Sequence, residues 1–315
     1  MWLFENRDNM ERSDTPLFTY LWKIKNFTFC SARVTLTSPE FVVEGLNNTR
    51  WALYLRPRDT SDEEAEVTYY LHRMDNAGPE TLTLDYRLSL VDVKGSSLKH
   101  AMFRSYSFRR NGRDGCAAHV LRDEVMVEKK SSYLADDTLM IRCEMWRVGQ
   151  EETRVVQCVA HSHIGVERVS VTWAIANFSE LQVLQKTPVP IRWASRENPL
   201  FSMNLYKSDD RLFLHVRFEG GRVFEMCIFK LYVLDTSLKR REWNQYEISL
   251  TPKVKQEYNM CLCSLDKILV KKSTFLGKDT LNMECELSIA GGVTSKEIES
   301  TVYGPCPQGM TCGIM

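Results

Sequence analysis

The chain lacks any run of about 18 apolar residues, the length a membrane-spanning helix requires. It also lacks net charge: lysine plus arginine equals aspartate plus glutamate, 41 of each. A nucleic-acid partner calls for a basic excess to neutralise phosphates, so this balance argues against one. The opening Met1-Trp2-Leu3-Phe4 breaks into charge at Glu5, too soon for the apolar core of a secretion signal. No local motif sets a thiol or hydroxyl beside a base and an orienting acid, as nucleophilic catalysis demands. These absences lead to the expectation of a non-enzymatic protein of the cytoplasm or nucleus, with no cofactor, no metal, no nucleic acid and no membrane.

What is present is ordinary for a globular protein: 315 residues, 43% hydrophobic and 26% charged. That length exceeds one usual domain and predicts two, each large enough to fold without a disulfide or metal. The ten cysteines fall mostly inside apolar strand patterns, such as Cys143, Cys227 and Cys285. Without a secretion signal they read as buried reduced thiols. For the same reason the acceptor-like triplets at Asn26, Asn47 and Asn177 carry no glycosylation meaning.

The sequence repeats itself. Lys129–Met145, KKSSYLADDTLMIRCEM, returns without a gap as Lys271–Leu287, KKSTFLGKDTLNMECEL. Near the start of each half, the WKIKNF at Trp22 is answered by the WAIANF at Trp173. The starts lie slightly further apart than the ends, so the second copy has shorter loops. Between these markers strand follows strand. In Thr81–Val91, Leu82, Leu84, Tyr86, Leu88 and Leu90 recur at period two, which sends one row of side chains to a core. Turn residues separate the runs, among them Asn76-Ala77-Gly78-Pro79, Lys94-Gly95, Asn111-Gly112 and Gly220-Gly221. Many short strands without a helical period predict an all-β chain of two tandem antiparallel sandwiches. The expected boundaries are a first domain at 15–148, a linker at 149–167, a second domain at 168–290 and a poorly ordered tail at 291–315.

Trp22-x-Ile24-x-Asn26-Phe27, then Trp51 with Leu53 and Leu55, then Tyr86-x-Leu88-x-Leu90-Val91-Asp92, Tyr106-x-Phe108 and Asp137-x-Leu139-x-Ile141-x-Cys143-Glu144 resemble the meprin-and-TRAF-homology (MATH) domain. The likeness is nearest to the speckle-type POZ and TD-and-POZ group and covers residues 15 to 148, and 168 to 290 more loosely. It implies an eight-stranded antiparallel sandwich whose shallow groove captures an extended peptide, an apolar residue followed by Ser/Thr-rich positions. In such proteins a POZ (BTB) domain then recruits a cullin scaffold, making a substrate adaptor for ubiquitin ligation. Position by position, the resemblance assigns the groove to Tyr54, Tyr70, Tyr86, Met102, Tyr106, Arg113, Asp114, Gly115 and Cys116. Tyr54 stands where the family has arginine, and Arg113-Asp114-Gly115-Cys116 replaces an Asp-Trp-Gly-Phe stretch. In the second copy Phe201 stands for Trp51, Phe213 falls in the strand matching Tyr70, and Tyr106 has no clear counterpart. The residues after Leu287 are too few for a POZ domain, so any link to a cullin ligase is expected through a partner. Two readings follow: a receptor for Ser/Thr-rich peptide segments of substrate proteins, or a scaffold or decoy that associates with related adaptors without capturing peptide.

Other candidates have plainer explanations. His161-x-His163 offers half a metal site in an extended strand, set against solvated linker histidines, and no second ligand pair follows at zinc spacing. Cys261-x-Cys263 has the wrong spacing for a zinc knuckle, and strand alternation points both thiols to one side, toward a core. Arg104–Arg113 mixes arginines and aromatics as a single-stranded nucleic-acid site does, or is a hairpin with solvated arginines. Trp22 and Trp173 are ligand stackers or core residues, and the strand period favours the core.

Overall fold

The computed structural model describes residues 15–30, 34–59, 65–74, 78–110, 115–148, 154–189, 201–218, 226–249 and 256–305. In chain order the first strands are β1 (Phe18–Lys25), β2 (Leu36–Thr37), β3 (Phe41–Val43), β4 (Thr49–Asp59), β5 (Glu66–Arg73), β6 (Thr81–Val91), β7 (Ser97–Arg109), β8 (Ala117–Leu121) and β9 (Thr138–Arg147). There follow β10 (Arg154–Ile175), β11 (Thr187–Pro188), β12 (Phe201–Ser208), β13 (Arg211–Phe218), β14 (Met226–Leu234), β15 (Arg240–Ser249), β16 (Gln256–Ser264), β17 (Leu276–Gly277) and β18 (Thr280–Pro305). The chain forms two compact units. The first comprises 1–28, 32–163 and 293–315, and the second 29–31 and 164–292.

In the first unit one sheet runs β10-β1-β9-β6-β7 and a second runs β2-β4-β5-β8, with β3 beside β4. The period-two rows explain both. β1 buries Phe18, Tyr20, Trp22 and Ile24 and leaves the residues between them half-exposed. β6 buries Leu84, Tyr86, Leu88 and Leu90. Burying an aliphatic or aromatic side chain contributes roughly 1.5–3 kcal/mol, so these rows outweigh most single polar contacts in the unit. Polar ties fix the corners. The Asp137 carboxylate accepts the Thr28 N–H at 2.9 Å and the Thr28 hydroxyl at 2.7 Å, while Asn26 turns the chain through a left-handed φ of 61°.

Two expectations from sequence are corrected here. The stretch expected as a linker, 149–167, is strand from Arg154 onward, and β10 pairs with β1 in parallel from Phe18↔Val156 to Lys25↔His163. β10 follows β9 and runs back against it, so on the free side of antiparallel β1 it must be parallel; the sheet is therefore not wholly antiparallel. The stretch expected as a tail, 291–315, is strand as far as Pro305. Nearly every residue from Thr294 to Tyr303 is exposed, so backbone pairing rather than apolar burial makes it a strand, and no hydrophobic row betrays it in sequence. His161 and His163 are accordingly strand residues, not solvated linker: His161 Nε2 lies 2.6 Å from Glu299 Oε2, and His163 Nε2 lies 3.0 Å from Asn26 Nδ2.

The second unit repeats the element order. One sheet carries β15-β14-β18-β10 and the other β11-β12-β13-β16. The corner recurs, with Asp279 accepting the Ser179 N–H and hydroxyl as Asp137 accepts those of Thr28. So does the turn after β6. The Asp92 carboxylate accepts the N–H groups of Lys94 and Ser96, and the Asp235 carboxylate accepts those of Ser237 and Lys239 after β14. The core gathers Trp173, Phe178, Phe201, Phe229, Met283 and Cys285 among others.

Glu284 of this unit, nearly buried, accepts Arg240 Nε at 2.7 Å and the Ser170 hydroxyl at 2.8 Å. Burial pushes its carboxyl up, but the Arg240 and Ser170 bonds outweigh that and hold it below the ordinary value. A carboxylate lowered in the folded state stabilises fully above its unfolded pKa of about 4.3, and that contribution fades as the pH falls through the folded value. Glu284→Gln should therefore flatten the acid limb of stability below about pH 5, read from urea midpoints across a pH series. An acid limb as steep in the variant as in the parent would place the effect elsewhere.

Candidate functional site

β8 ends its sheet, bonded to β5 from Glu66↔Leu121 to Tyr70↔Ala117. Along β5, Val67, Tyr69 and Leu71 point into the core, so Thr68, Tyr70 and His72 line the outer face. Tyr54 of β4 stands opposite Tyr70 and stacks on it, ring centroids 5.5 Å apart at 17°. His72 meets the edge of Tyr54 at 5.0 Å, and the Arg56 guanidinium lies 5.9 Å from the Tyr70 centroid. Both tyrosines are half-buried.

A second aromatic group belongs to the other sheet. Tyr106 packs edge-on against Tyr86 at 5.8 Å and Phe108 at 4.7 Å, and Phe103 stacks on Tyr86 at 4.7 Å. The buried Arg73 side chain donates to the Phe108 carbonyl at 3.1 Å, tying β5 to β7 beneath this group. Gly115, Cys116 and Ala117 join the two groups. The Gly115 N–H donates to the Leu71 carbonyl at 3.2 Å, the Tyr86 hydroxyl donates to the Cys116 carbonyl at 3.4 Å, and Ala117 pairs with Tyr70. Gly115 must be glycine for reasons of space: a Cβ there would lie 2.4 Å from the Leu71 carbonyl oxygen and 3.1 Å from the Tyr86 hydroxyl.

Of the nine assigned positions, Tyr54, Tyr70, Tyr106, Gly115 and Cys116 come together, with Cys116 exposed and Tyr70 and Tyr106 half-buried. Tyr70 and Tyr106 belong to different sheets rather than to one sheet face. Tyr86 is 0% exposed, so it is a floor beneath Tyr106 and not a wall that a ligand would touch. Burial, and then the neighbouring Cys116, push its phenol up, so it stays protonated as a donor. Met102 faces away. The register of β6 and β7 slips between Leu84↔Tyr106 and Tyr86↔Phe103, so two residues of β7 oppose Asp85 alone. At this bulge Ser105 adopts a left-handed φ of 48° and its N–H donates to the Asp85 carboxylate at 2.6 Å. The extra residue turns Phe103 inward and leaves Met102 opposite Arg87 on the outer side. Arg113 and Asp114 lie outside the described residues.

Strict alternation missed Phe103 for the same reason, whereas His72 and Arg56, two residues on from Tyr70 and Tyr54, were within its reach. A second bulge separates Cys261 from Cys263, since Leu212 pairs with Cys263 but Phe213 with Cys261. Cys263 is buried and Cys261 half-exposed, so the two thiols do not share a face. Burial pushes the Cys263 and Cys285 thiols up to about 12, which keeps them protonated and poor nucleophiles. Among the described residues no three His, Cys, Asp or Glu side chains gather as a metal site, and no helix is long and apolar enough to cross a membrane.

Residues 19–145 match the MATH domain family model, and that stretch of the chain is a MATH domain. Among solved structures, "pT26-6p" is similar at 7% identity and a TM-score of 0.22, over 84% of this chain and 66% of that one. A structure titled "Structural basis for the promiscuous specificity of the carbohydrate-binding modules from the beta-sandwich super family" is similar at 8% identity and a TM-score of 0.16, over 86% of this chain and 94% of that one. "Structure of allantoicase" follows at 8% identity and 0.11, over 78% and 80%. Likenesses this loose bear on neither fold nor function.

Proposed function

We propose that the chain, whose residues 19–145 are a MATH domain, is a non-catalytic receptor for extended Ser/Thr-rich peptide segments of other proteins. A MATH domain is in general a protein-interaction module. The observation that carries the peptide reading is the edge of β8, the last strand of its sheet among the described residues, between Tyr70 and Tyr106, with Gly115, Cys116 and Ala117 at its head. A strand laid beside such an edge gains main-chain hydrogen bonds, and alternate side chains reach the flanking rings. Tyr86 is buried and supports Tyr106 from below. Cys116, where the family has an aromatic, is exposed and offers less apolar wall at this point. A shallow groove and a ligand that must be ordered give an affinity on the order of micromolar. By the same reading the chain serves substrate selection for a cullin-type ubiquitin ligase.

The test is a titration of the full chain with a labelled peptide of the apolar–polar–Ser–Ser/Thr–Ser/Thr kind, followed by fluorescence anisotropy. Tyr106→Ala should weaken binding roughly 30-fold or more, as truncation of an aromatic anchor does. A folded chain that never saturates with such peptides would sink the reading and leave the scaffold role in its place.

A further inference from the structure

We infer that the second unit's counterpart of the β8 edge is sealed by its own side chains, so that each chain offers one peptide site. The inference rests on the peptide-receptor reading for its functional meaning, but the seal itself is a property of the second unit alone.

The matching turns at Asp92 and Asp235 bring β6 and β14 into correspondence, Tyr86 with Phe229 and Leu88 with Leu231. Across the next strand, Tyr86 and Leu88 face Phe103 and Ala101 of β7, whereas Phe229 and Leu231 face Tyr246 and Asn244 of β15. Phenylalanine and alanine side chains cannot donate a hydrogen bond; tyrosine and asparagine can. In the second unit both do. Asn244 Nδ2 donates to the Cys261 carbonyl at 2.8 Å and to the Leu262 carbonyl at 2.7 Å, and the Tyr246 hydroxyl donates to the Cys261 carbonyl.

These acceptors sit on β16, the end strand of its sheet and the counterpart of β8. They lie at the bulge, where Leu262 has no opposite number on β13 and Cys261 beside it pairs with Phe213. β8 has a regular register along its described length and offers no such pair. In the first unit the positions of Tyr246 and Asn244 are held by Phe103 and Ala101, and the side-chain donor that reaches the head of β8 is the Tyr86 hydroxyl, on the Cys116 carbonyl. A peptide pairing along β16 would have to displace the Asn244 and Tyr246 bonds.

The head of the groove carries a bulkier side chain as well. By register His215 corresponds to Tyr70 and Tyr258 to Cys116, and the Tyr258 ring packs edge-on against Phe218 at 6.0 Å. The counterpart of Tyr106 is Ile248, which is buried. Where the first unit presents the half-exposed Tyr70 and Tyr106 and the small exposed thiol of Cys116, the second has the half-exposed His215 and Tyr258 and the buried Ile248.

The experiment has two arms on the full chain. In hydrogen–deuterium exchange, Asn244→Ala with Tyr246→Phe should speed exchange across 256–264 on the order of tenfold, with 117–121 unchanged as internal reference. Tyr246→Phe alone keeps the ring and removes one donor, so it should give a smaller change in the same segment should the double variant fold poorly. Unchanged exchange across 256–264 in either variant overturns the seal. In calorimetric titration with the peptide used above, the parent chain should take one peptide, lost on Tyr106→Ala. Two peptides per chain overturn the inference while leaving the first unit a receptor. No peptide bound at all counts against the receptor reading only, and the exchange arm still decides the seal.

Discussion

Replacing Gly115 by alanine is expected to abolish peptide binding and lower the stability of the first unit together. The added methyl would lie 2.4 Å from a backbone oxygen, that of Leu71, a distance no side-chain rotation relieves. Either β5 or the strand entry at Gly115 must move. The N–H of Gly115 donates to that same oxygen, so the movement also strains or breaks the bond that seats the β8 head. Tyr86 and Phe108 stand at 3.1 and 3.2 Å from the same point, which closes the other directions of escape. Overpacking of this kind costs about 1–3 kcal/mol, and the displaced carbonyl of Cys116 loses its Tyr86 partner as well. Differential scanning calorimetry of the full chain should show the transition of one unit moving and that of the other unchanged. A variant with parental melting and parental affinity would mean that Gly115 is not the hinge of the groove.

Trp51→Ala should have the largest effect on stability of any groove-supporting substitution. Trp51 is 0% exposed, its indole N–H donates to the Thr49 hydroxyl at 2.8 Å, and its ring meets Phe108 edge-on at 4.9 Å. Truncating a buried tryptophan removes about 3–5 kcal/mol, a large share of what holds a small domain folded. Phe108 is also the ring against which Tyr106 rests, so the binding wall should loosen before the unit unfolds. Trp51→Phe offers the contrast, since the second unit carries Phe201 at the corresponding place, buried and paired with Phe218. Melting temperature and peptide affinity should both fall steeply for alanine and modestly for phenylalanine. Equal losses for the two would argue that the indole N–H, not ring packing, supports the groove.

Much of this architecture was legible from period-two rows and from the internal repeat. Leu84, Tyr86, Leu88 and Leu90 declared the buried face of β6, and Trp22 and Trp173 declared the first core strand of each unit. Three things were not legible, each for a physical reason. The bulge at Arg104 and Ser105 costs one residue of register and so left Met102 on the outer side and set Phe103 against Tyr86. Nothing in the letters marks it, because the left-handed position that glycine would normally signal is held by Ser105 with help from Asp85. The strands of 154–167 and 291–305 escaped because exposed strands need no apolar row. Tyr86 was misjudged since residue type alone cannot separate an aromatic that walls a groove from one that floors it. The family resemblance named Tyr54, Tyr70, Tyr106, Gly115 and Cys116, which the fold brings together, and the sheet register set Met102 apart from them.

The repeated segment has a consequence for how the chain reaches its fold. β9 lies between β1 and β6, and the first part of β18, of closely similar sequence, lies between β10 and β14. Each copy is thus a near-fit for the slot of the other, and tandem domains of similar sequence are prone to exchange strands as they assemble. On the ribosome, at about 5–20 residues per second, the first copy emerges several seconds before its rival exists and can fill its own slot. A chain released whole from denaturant has no such head start. Refolding from denaturant is therefore expected to yield a larger strand-exchanged or aggregated fraction than synthesis does, as size-exclusion chromatography of the two preparations would read.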